Sequence, residues 1–449
     1  MSDETVAEPG SIQFTDVVIT NLKGEKVSIL PLILELNVYE SFRQPFVTAD
    51  ITLQDSLSLI PTFPIVGQEM VHIEFKTPTN AFLKKISLDL RIISVKEMSR
   101  VNARTSGYIL KCVSVPMIRD INTKIRKAYS NMLISDMVKK ISEEFLGVTS
   151  DMMVFVEETD GDRTFVIPNK SPTAAIEFLS REAKSTLSTS SNYIFYQNCD
   201  GFFFQTTDEM IDPKTPGRNR LKGKSIDKYY GDEFGYTKVV SQKELIRGSV
   251  RGGSSTKPAA FTRIKEFHYD NVSDYYKGAL SGFVENSARF LDPLTSYYKE
   301  TPYIYTKDHT SFRKTSQSQA NLFLTESNDY AKNGESYITF QPTNFQQNND
   351  IPVDQKMEFL HYKIGAANIF ENLIASVTIP GDSEKRIGEV IDLEIPEYGA
   401  TDDIEPKINK FLSGEYLILA VRHSYTMSGY DTIMTVAKNA YEKSIETPE

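Results

Sequence analysis

The 449-residue chain has no tryptophan, two cysteines and five histidines. The cysteines, Cys112 and Cys199, lie far apart, each in strand-like or hairpin sequence. That excludes a disulfide framework or a zinc site and suits a reducing compartment. The histidines, His72, His268, His309, His361 and His423, include no pair at the i,i+4 spacing of a zinc-protease helix. His423 precedes Ser424 on strand-like sequence, where neighbouring side chains face opposite sides and cannot form a nucleophile–base pair. The longest apolar run, 29–34, contains Pro31 and stops at Glu35, far short of the ~20 residues that cross a bilayer. Met1-Ser2-Asp3-Glu4-Thr5 is acidic where a secretory signal starts basic. A soluble chain with no targeting segment and no membrane insertion is expected. Basic charge is also short: a net charge of −10 and a pI near 5.3 argue against a surface that grips nucleic-acid phosphates or anionic lipid.

What remains is ordinary globular composition, 40% hydrophobic and 24% charged, at a length that predicts about three domains of ~150 residues. One strand pattern is written twice. The first copy runs from Gly67-Gln68-Glu69 into the alternating strand ending Ile73-Glu74-Phe75, through Ile92-Ile93-Ser94-Val95-Lys96, to Ser106-Gly107-Tyr108. The second runs from Gly388-Glu389 into the strand ending Leu393-Glu394-Ile395, through Ile418-Leu419-Ala420-Val421-Arg422, to Ser428-Gly429-Tyr430. Convergence of two unrelated strand sets would also produce the echo, because β-patterning is degenerate. A duplication makes a sharper demand: Gly67 should superimpose on Gly388 and Val95 on Val421.

Taken in order, residues 1–11 read as a tail, and 12–38 as a hairpin around Lys23-Gly24-Glu25. Val47, Ala49, Ile51 and Leu53 fall on one face of a half-buried strand. With strands at 69–76, 86–96 and 107–115, about six strands occupy the first 115 residues, the signature of a small antiparallel barrel. The period then changes. Ile134, Met137, Val138, Ile141 and Phe145 make an amphipathic helix stopped by Gly147. A hairpin is expected between 153–157 and 163–167 around Asp160-Gly161, and another between 193–196 and 202–205 around Asp200-Gly201. Between them Ser171-Pro172 opens a helix that buries Ile176, Leu179 and Ala183. Residues 211–232 read as a polar linker, 239–251 as strand, and 341–349 as a Gln/Asn-rich stretch. A long helix is then expected with Met357, Leu360, Ile364, Ala367, Phe370 and Ile374 on one face and a potential break at Gly365.

The fold class that follows is α+β, mainly β, with two similar small antiparallel β-barrels, an α+β module and an inserted mixed domain. The boundaries are 1–117 for the first barrel, 118–232 for the module, 233–255 with 371–443 for the second barrel, and 256–370 for the insertion.

Candidate chemistry is thin. Gly223-Lys224-Ser225 ends like a phosphate-binding loop, but five residues rather than four separate Gly217 from Gly223 and no apolar strand precedes them, so a solvated basic loop is favoured. Glu157, Glu158, Asp160 and Asp162 cluster near a turn without the register of a calcium loop, and a solvated turn is expected. Carboxylate pairs for sugar hydrolysis need only proximity in space, and no sequence feature points to one. Aromatic residues in the first hairpins lack the interleaved basic residues of a nucleotide-stacking surface. No catalytic, metal-binding or cofactor-binding residue is assigned; the chain is expected not to be an enzyme and to need no cofactor, and its partner-interface residues are not specified.

Several blocks nonetheless resemble one family. They are 32–41 (Leu-Ile-Leu-Glu-Leu-Asn-Val-Tyr-Glu-Ser), 46–55 with Pro64-Ile65-Val66-Gly67, 192–198 with Asp200-Gly201-Phe202-Phe203-Phe204, Ile379-Pro380-Gly381-Asp382 with Ile387-Gly388, and 413–423. Together they are similar to the central baseplate hub protein of contractile-tailed bacteriophages, a family related to the hub part of type VI secretion spikes. The resemblance covers most of the chain and is weakest over 256–350. It implies a homotrimeric ring with two barrels per subunit, hence six comparable units that meet a sixfold tail tube on one side and a threefold central spike on the other. It implies a structural virion protein of the tail baseplate, assembled in the host cytoplasm and contacting further baseplate proteins. DNA would pass through without specific binding, past an acidic lumen; three copies at −10 each carry −30. The alternatives are the hub part of a secretion-type spike, a tail-associated cell-wall hydrolase and a nucleic-acid-binding barrel protein.

Overall fold

The computed structural model describes residues 9–78, 85–102, 104–187, 191–211, 237–239, 264–292, 296–308, 315, 337–342, 353–393, 395, 409 and 411–441. The start of the N-terminal tail, nearly all of the 211–232 linker with its Gly217–Ser225 loop, most of 239–251, His309 and most of the Gln/Asn-rich stretch lie outside the described residues.

Alternating apolar residues make the first seven strands: β1 (Gln13–Thr20), β2 (Lys26–Ser28), β3 (Ile33–Ser41), β4 (Gln44–Asp55), β5 (Met70–Lys76), β6 (Ile86–Arg100) and β7 (Ser106–Ser114). Val47, Ala49, Ile51 and Leu53 of β4 are all fully buried, as their spacing demands. Six of these strands lie in the order β1-β5-β6-β7-β4-β3, with β2 outside β1 across the turn at Gly24. The two ends of this ladder feed one core: Val17 and Ile19 from β1 pack in the same cluster as Leu36 and Val38 from β3. The sheet therefore wraps around its own interior, as a small barrel does.

A second unit repeats this plan. Strands β13 (Thr237–Val239), β14 (Glu266–Asn271), β18 (Leu373–Pro380), β19 (Val390–Leu393), β20 (Gly414–Thr426) and β21 (Gly429–Lys438) lie in the order β13-β19-β20-β21-β18-β14. Ranked by position in the chain, both units read first, fourth, fifth, sixth, third, second. One polarity differs: β1 meets β5 antiparallel, whereas β13 meets β19 parallel.

The match extends to single residues. Ile92 pairs with Cys112 and Val95 with Leu110 across a bulge at Ile93, while Ile418 pairs with Val436 and Val421 with Met434 across a bulge at Leu419. A β-bulge at one ladder position in both units is a local feature that patterning alone does not impose. The Ile92 amide donates to the Glu69 carbonyl (3.0 Å) and the Ile418 amide to the Glu389 carbonyl (2.9 Å). Val95 and Val421 thus hold equivalent ladder positions. The glycines do not: with Glu69 matched to Glu389, Gly67 falls one residue off Gly388. The Ser-Gly-Tyr segments are two residues out: counted back from the matched Leu110 and Met434, Tyr108 lies two positions away and Tyr430 four, because the first segment lies wholly inside β7 and the second straddles the turn into β21.

Between the units sits an α+β module. Helix Ile134–Ile141 continues as a wider turn to Leu146 and ends at Gly147 with φ of 66°. Helix Pro172–Ser180 is capped by Ser171, whose hydroxyl accepts from the Ala174 amide (3.4 Å). Two strand sets pack on these helices: β8 (Ile125–Met132) with β10 (Arg163–Lys170), and β9 (Met153–Val156) beside β12 (Gly201–Thr206) and β11 (Tyr193–Asn198). The expected hairpin at Asp200-Gly201 is present. The one at Asp160-Gly161 is not: β9 runs parallel to β12, and β10 pairs with β8. The chain after β9 is held by the 184–206 segment instead of folding on itself, since the Asp160 amide donates to the Lys184 carbonyl (2.8 Å).

In the first unit β3 turns into β4 through two residues, Phe42-Arg43; at the same point of the second unit the chain inserts everything between β14 and β18. The insertion carries a small sheet of β15 (Glu285–Asp292), β16 (Tyr297–Ile304) and β17 (Ile338–Pro342), and helix Val353–Ile369. That helix ends sooner than expected, with Ile374 already in β18, and its buried face is Phe359, Ala366 and Ile369 while Ala367 is exposed. Gly365 does not break it. A Cβ there would stand 2.9 Å from the Tyr303 ring, so glycine admits the close approach of β16.

Candidate assembly interface

The two units are joined directly. Strand β3, the last strand of the first ladder, pairs antiparallel with the far half of β20, from Ala420 opposite Ser41 to Thr426 opposite Glu35. The near half of β20 pairs with β19, so one long strand serves two ladders. Arg422 fastens the join: it lies over the Tyr39 ring (5.7 Å), its Nε donates to Asn37 Oδ1 (2.8 Å) and its Nη2 to Glu35 Oε1 (3.4 Å).

Behind the join, three parts of the chain meet at buried charges. Glu40, at the end of β3, accepts hydrogen bonds from the Cys199 amide (2.7 Å) and the Ile387 amide (3.1 Å). Arg386 stands 3.9 Å from the same carboxylate, donates from Nε to Asp200 Oδ1 (3.3 Å), and donates from Nη1 to the carbonyls of Ser383 (2.8 Å) and Lys385 (2.9 Å). Burial pushes the Glu40 carboxyl above its ordinary range, and the Arg386 charge and the two amides offset this only in part. Burial also works against the Arg386 charge, but Asp200, Glu40 and Glu389 outweigh it, so the guanidinium stays protonated. His423, likewise buried, is pushed down to about 3 by burial and by the Arg386 charge; its Nδ1 lies 2.8 Å from the Tyr430 hydroxyl.

The loop that carries Arg386 is rich in charge, yet every residue from Gly381 to Gly388 is buried. Thr77, just beyond β5, donates from its hydroxyl to the Gly381 carbonyl (3.0 Å) and accepts from the Ser383 amide (2.9 Å). Gly388, at φ of 84°, is where a Cβ would stand 2.4 Å from the Tyr196 hydroxyl of the module. Polar groups in this loop are thus spent on fixing two units and a module together, since buried polar groups are stable only when hydrogen-bonded. None of Glu40, Asp200 and Arg386 was distinguishable as a site in the sequence.

An open recess of about 580 Å³ lies along the join, lined in part by Tyr39, Asp50, Ile93, Lys111 and Arg422. Its charges neutralise one another: Lys111 is bonded to Asp50, which raises the lysine pKa. Cys112 at its floor is buried, which pushes the thiol up and away from a reactive thiolate. The recess therefore presents no activated nucleophile.

The sequence candidates disperse. Glu157 is buried rather than solvated, accepting from the Ser185 hydroxyl (2.6 Å) and the Thr206 amide (2.6 Å), and burial raises its pKa. Asp160 pairs instead with Lys184 at 3.2 Å. His72 contacts Asp89 (2.8 Å), His268 is exposed near Asp270, and His361 is buried. Both thiols are free, and among the described residues no group of three or more His, Cys, Asp or Glu is placed to hold a metal.

No family model matches the chain, and no curated protein does. Solved structures do. The tail protein from Neisseria meningitidis MC58 aligns at 10% identity over 95% of this chain and 96% of its own, with a TM-score of 0.53. The 43 kDa tail protein of prophage MuSo2 from Shewanella oneidensis aligns at 9% identity over 94% of this chain and 98% of its own, with a TM-score of 0.55. The c3393 protein of E. coli, a component of the type VI secretion system, aligns at 11% identity over 98% of this chain and 79% of its own, with a TM-score of 0.42. The first two likenesses run over nearly the whole of each chain, and they establish a shared fold.

Proposed function

We propose that this chain is a structural, non-enzymatic protein of a phage tail baseplate, the hub that adapts a sixfold tail tube to a threefold central spike. The observation that carries the proposal is the repeated unit: two six-stranded ladders of one order, joined edge to edge in a fold shared with tail proteins. A chain with two like units offers six of them when three copies assemble, while the insertion between β14 and β18, present in one unit only, keeps the symmetry threefold where it projects. The tail tube protein and the central spike protein are then the partners on opposite faces, other baseplate proteins dock at the periphery, and the site of action is the virion. DNA slides through the ring without specific binding, kept off the wall by acidic charge.

The test is the solution mass, measured by light scattering on the chain alone and co-expressed with its spike. A trimer in either preparation supports the hub. A monomer in both overturns it, and a basic lumen in an assembled structure overturns the conduit argument.

A further inference from the structure

The α+β module has one strand edge unlike the others. Strand β9 pairs with β12 on one side, and among the described residues no strand lies on its other side. A free edge recruits other strands, and proteins blunt it with charge, with proline or with a cover. The other end strands follow that rule. Charged residues stand in β2, β8, β10, β13, β14 and β16, Pro342 ends β17, and β11 lies against the first unit, where the Val47 amide donates to Gln197 Oε1 (3.2 Å). The sequence of β9, Met-Val-Phe-Val, has neither charge nor proline, and all of its residues are half-buried.

Beside this edge runs an open groove of about 380 Å³, lined by β9, by the 148–150 turn, and by Lys139 and Glu143 from helix Ile134–Ile141 and its continuation. The Phe202 amide donates to the Met152 carbonyl (2.8 Å) and the Glu157 amide to the Phe204 carbonyl (2.8 Å). Met152 and Glu157 therefore face β12, and their neighbours Met153 and Val156 turn their backbone groups away from it. The Met153 amide is spent on the Thr149 carbonyl (3.2 Å), which leaves the Met153 carbonyl and both backbone groups of Val156 for an incoming chain. Charge narrows what that chain is. Lys139 is neutralised by Asp136 at 3.0 Å, whereas Glu143 is exposed along the groove and exposed Asp151 and Glu158 stand before and after β9.

We propose that this groove binds an extended, basic and apolar segment of another protein, which adds as a strand beside β9 and sets a lysine or arginine against Glu143. Main-chain pairing at Met153 and Val156 supplies affinity, and the apolar and charged contacts select the segment. The groove is short: β9 spans four residues, ~13 Å at ~3.3 Å per residue, so a segment of similar length fills it. The site lies on the module, outside both repeated units, and does not depend on the hub reading.

Selection from a displayed library of random short peptides tests it, with the full chain as bait and its Glu143→Lys variant as counter-bait. Glu143 is exposed, so the variant keeps the fold. Enriched peptides should alternate apolar residues with lysine or arginine, and the synthetic consensus should bind the wild type about tenfold more tightly than the variant, since reversing the charge turns an attraction into a repulsion. A consensus with glutamate in place of its basic residue should show the opposite preference. At saturation the Val156 amide should exchange about tenfold more slowly while the amides of β8 are unchanged, and methylating alternate backbone nitrogens of the peptide should abolish binding. No enrichment over the counter-bait, or a consensus that binds without slowing Val156, overturns the proposal. Slower Val156 exchange as the chain alone is concentrated would put a second copy in the groove and also overturns it.

Discussion

The buried charges behind the join allow a quantitative test through Glu40→Gln and Arg386→Met, made singly and together. Both side chains are fully buried, with Arg386 Nε 3.9 Å from Glu40 Oε1. Losing Arg386 removes two charge-assisted bonds to carbonyls and strands the Glu40 carboxylate; breaking a buried pair from one side costs about 3–5 kcal/mol. Glu40→Gln keeps one acceptor oxygen for the two amides it now serves and leaves Arg386 with Asp200, its nearer partner, so about 1–3 kcal/mol is expected. In the double variant no carboxylate is stranded at Glu40, and its cost should fall short of the sum. Attraction at ~4 Å in a medium of effective dielectric ~20 is about 4 kcal/mol, which caps the coupling, and about 1.5 kcal/mol is its expected floor. Urea unfolding at pH 8, followed by circular dichroism because the chain has no tryptophan, measures all four corners. The coupling should shrink as pH falls through the raised Glu40 pKa, where protonation removes the negative charge. Additivity within about 0.5 kcal/mol at pH 8 would refute the claim that these charges act as a unit.

Three further outcomes follow from single contacts. Gly365→Ala should destabilise the chain by about 1–3 kcal/mol, although alanine is the better helix former by ~1 kcal/mol, because its Cβ would stand 2.9 Å from the Tyr303 ring; a higher unfolding midpoint would contradict this. His423 should weaken the fold in acid: its pKa is lowered from 6.5 to about 3, so the unfolded chain binds the proton first, and its contribution is complete above pH 6.5 and lost as pH falls toward 3. His423→Asn should therefore show a shallower loss of stability over that window, and an unchanged slope would place the titration elsewhere. Ser171→Ala should cost about 1 kcal/mol by removing the cap on Ala174, read as faster amide exchange in the first turn of helix Pro172–Ser180; unchanged exchange there would mean that the cap does not hold the turn.

What the sequence disclosed and what it hid divide along physical lines. Ladder positions were legible where one face is buried, since a slip of one residue would turn Ile418 and Val421 out of the core; hence Ile92–Lys96 lined up with Ile418–Arg422 down to the bulge. Turns carry no such constraint, and Gly67 and Gly388 differ by one position because they answer to different neighbours. A Cβ at Gly67 would meet only the Ile93 backbone at 3.7 Å, whereas one at Gly388 would strike Tyr196. The absent hairpin at Asp160-Gly161 has a similar cause. The local turn signal was real, with Gly161 at φ of 75°, but Glu157 is tied to Ser185 and Thr206, contacts remote in sequence that no local pattern announces. Arg386 was hidden most thoroughly: Asp382-Ser383-Glu384-Lys385-Arg386 has the composition of an exposed loop, and its burial depends on three distant segments arriving together.

The duplication began as an echo of residues and becomes, in three dimensions, an argument about edges. A free strand edge is a hazard for a soluble protein, because its unpaired amides and carbonyls recruit other strands. Within this chain one edge is covered by the neighbouring unit, with Arg422 laid along β3. Among the described residues the far half of β6, with exposed Ile93 and Met98, pairs only with β7, and the half-exposed β14 pairs only with β18. The bulge between Lys96 and Ser99 then has a positional meaning: it bends β6 where its edge is exposed, one of the devices that keep such an edge from stacking indefinitely.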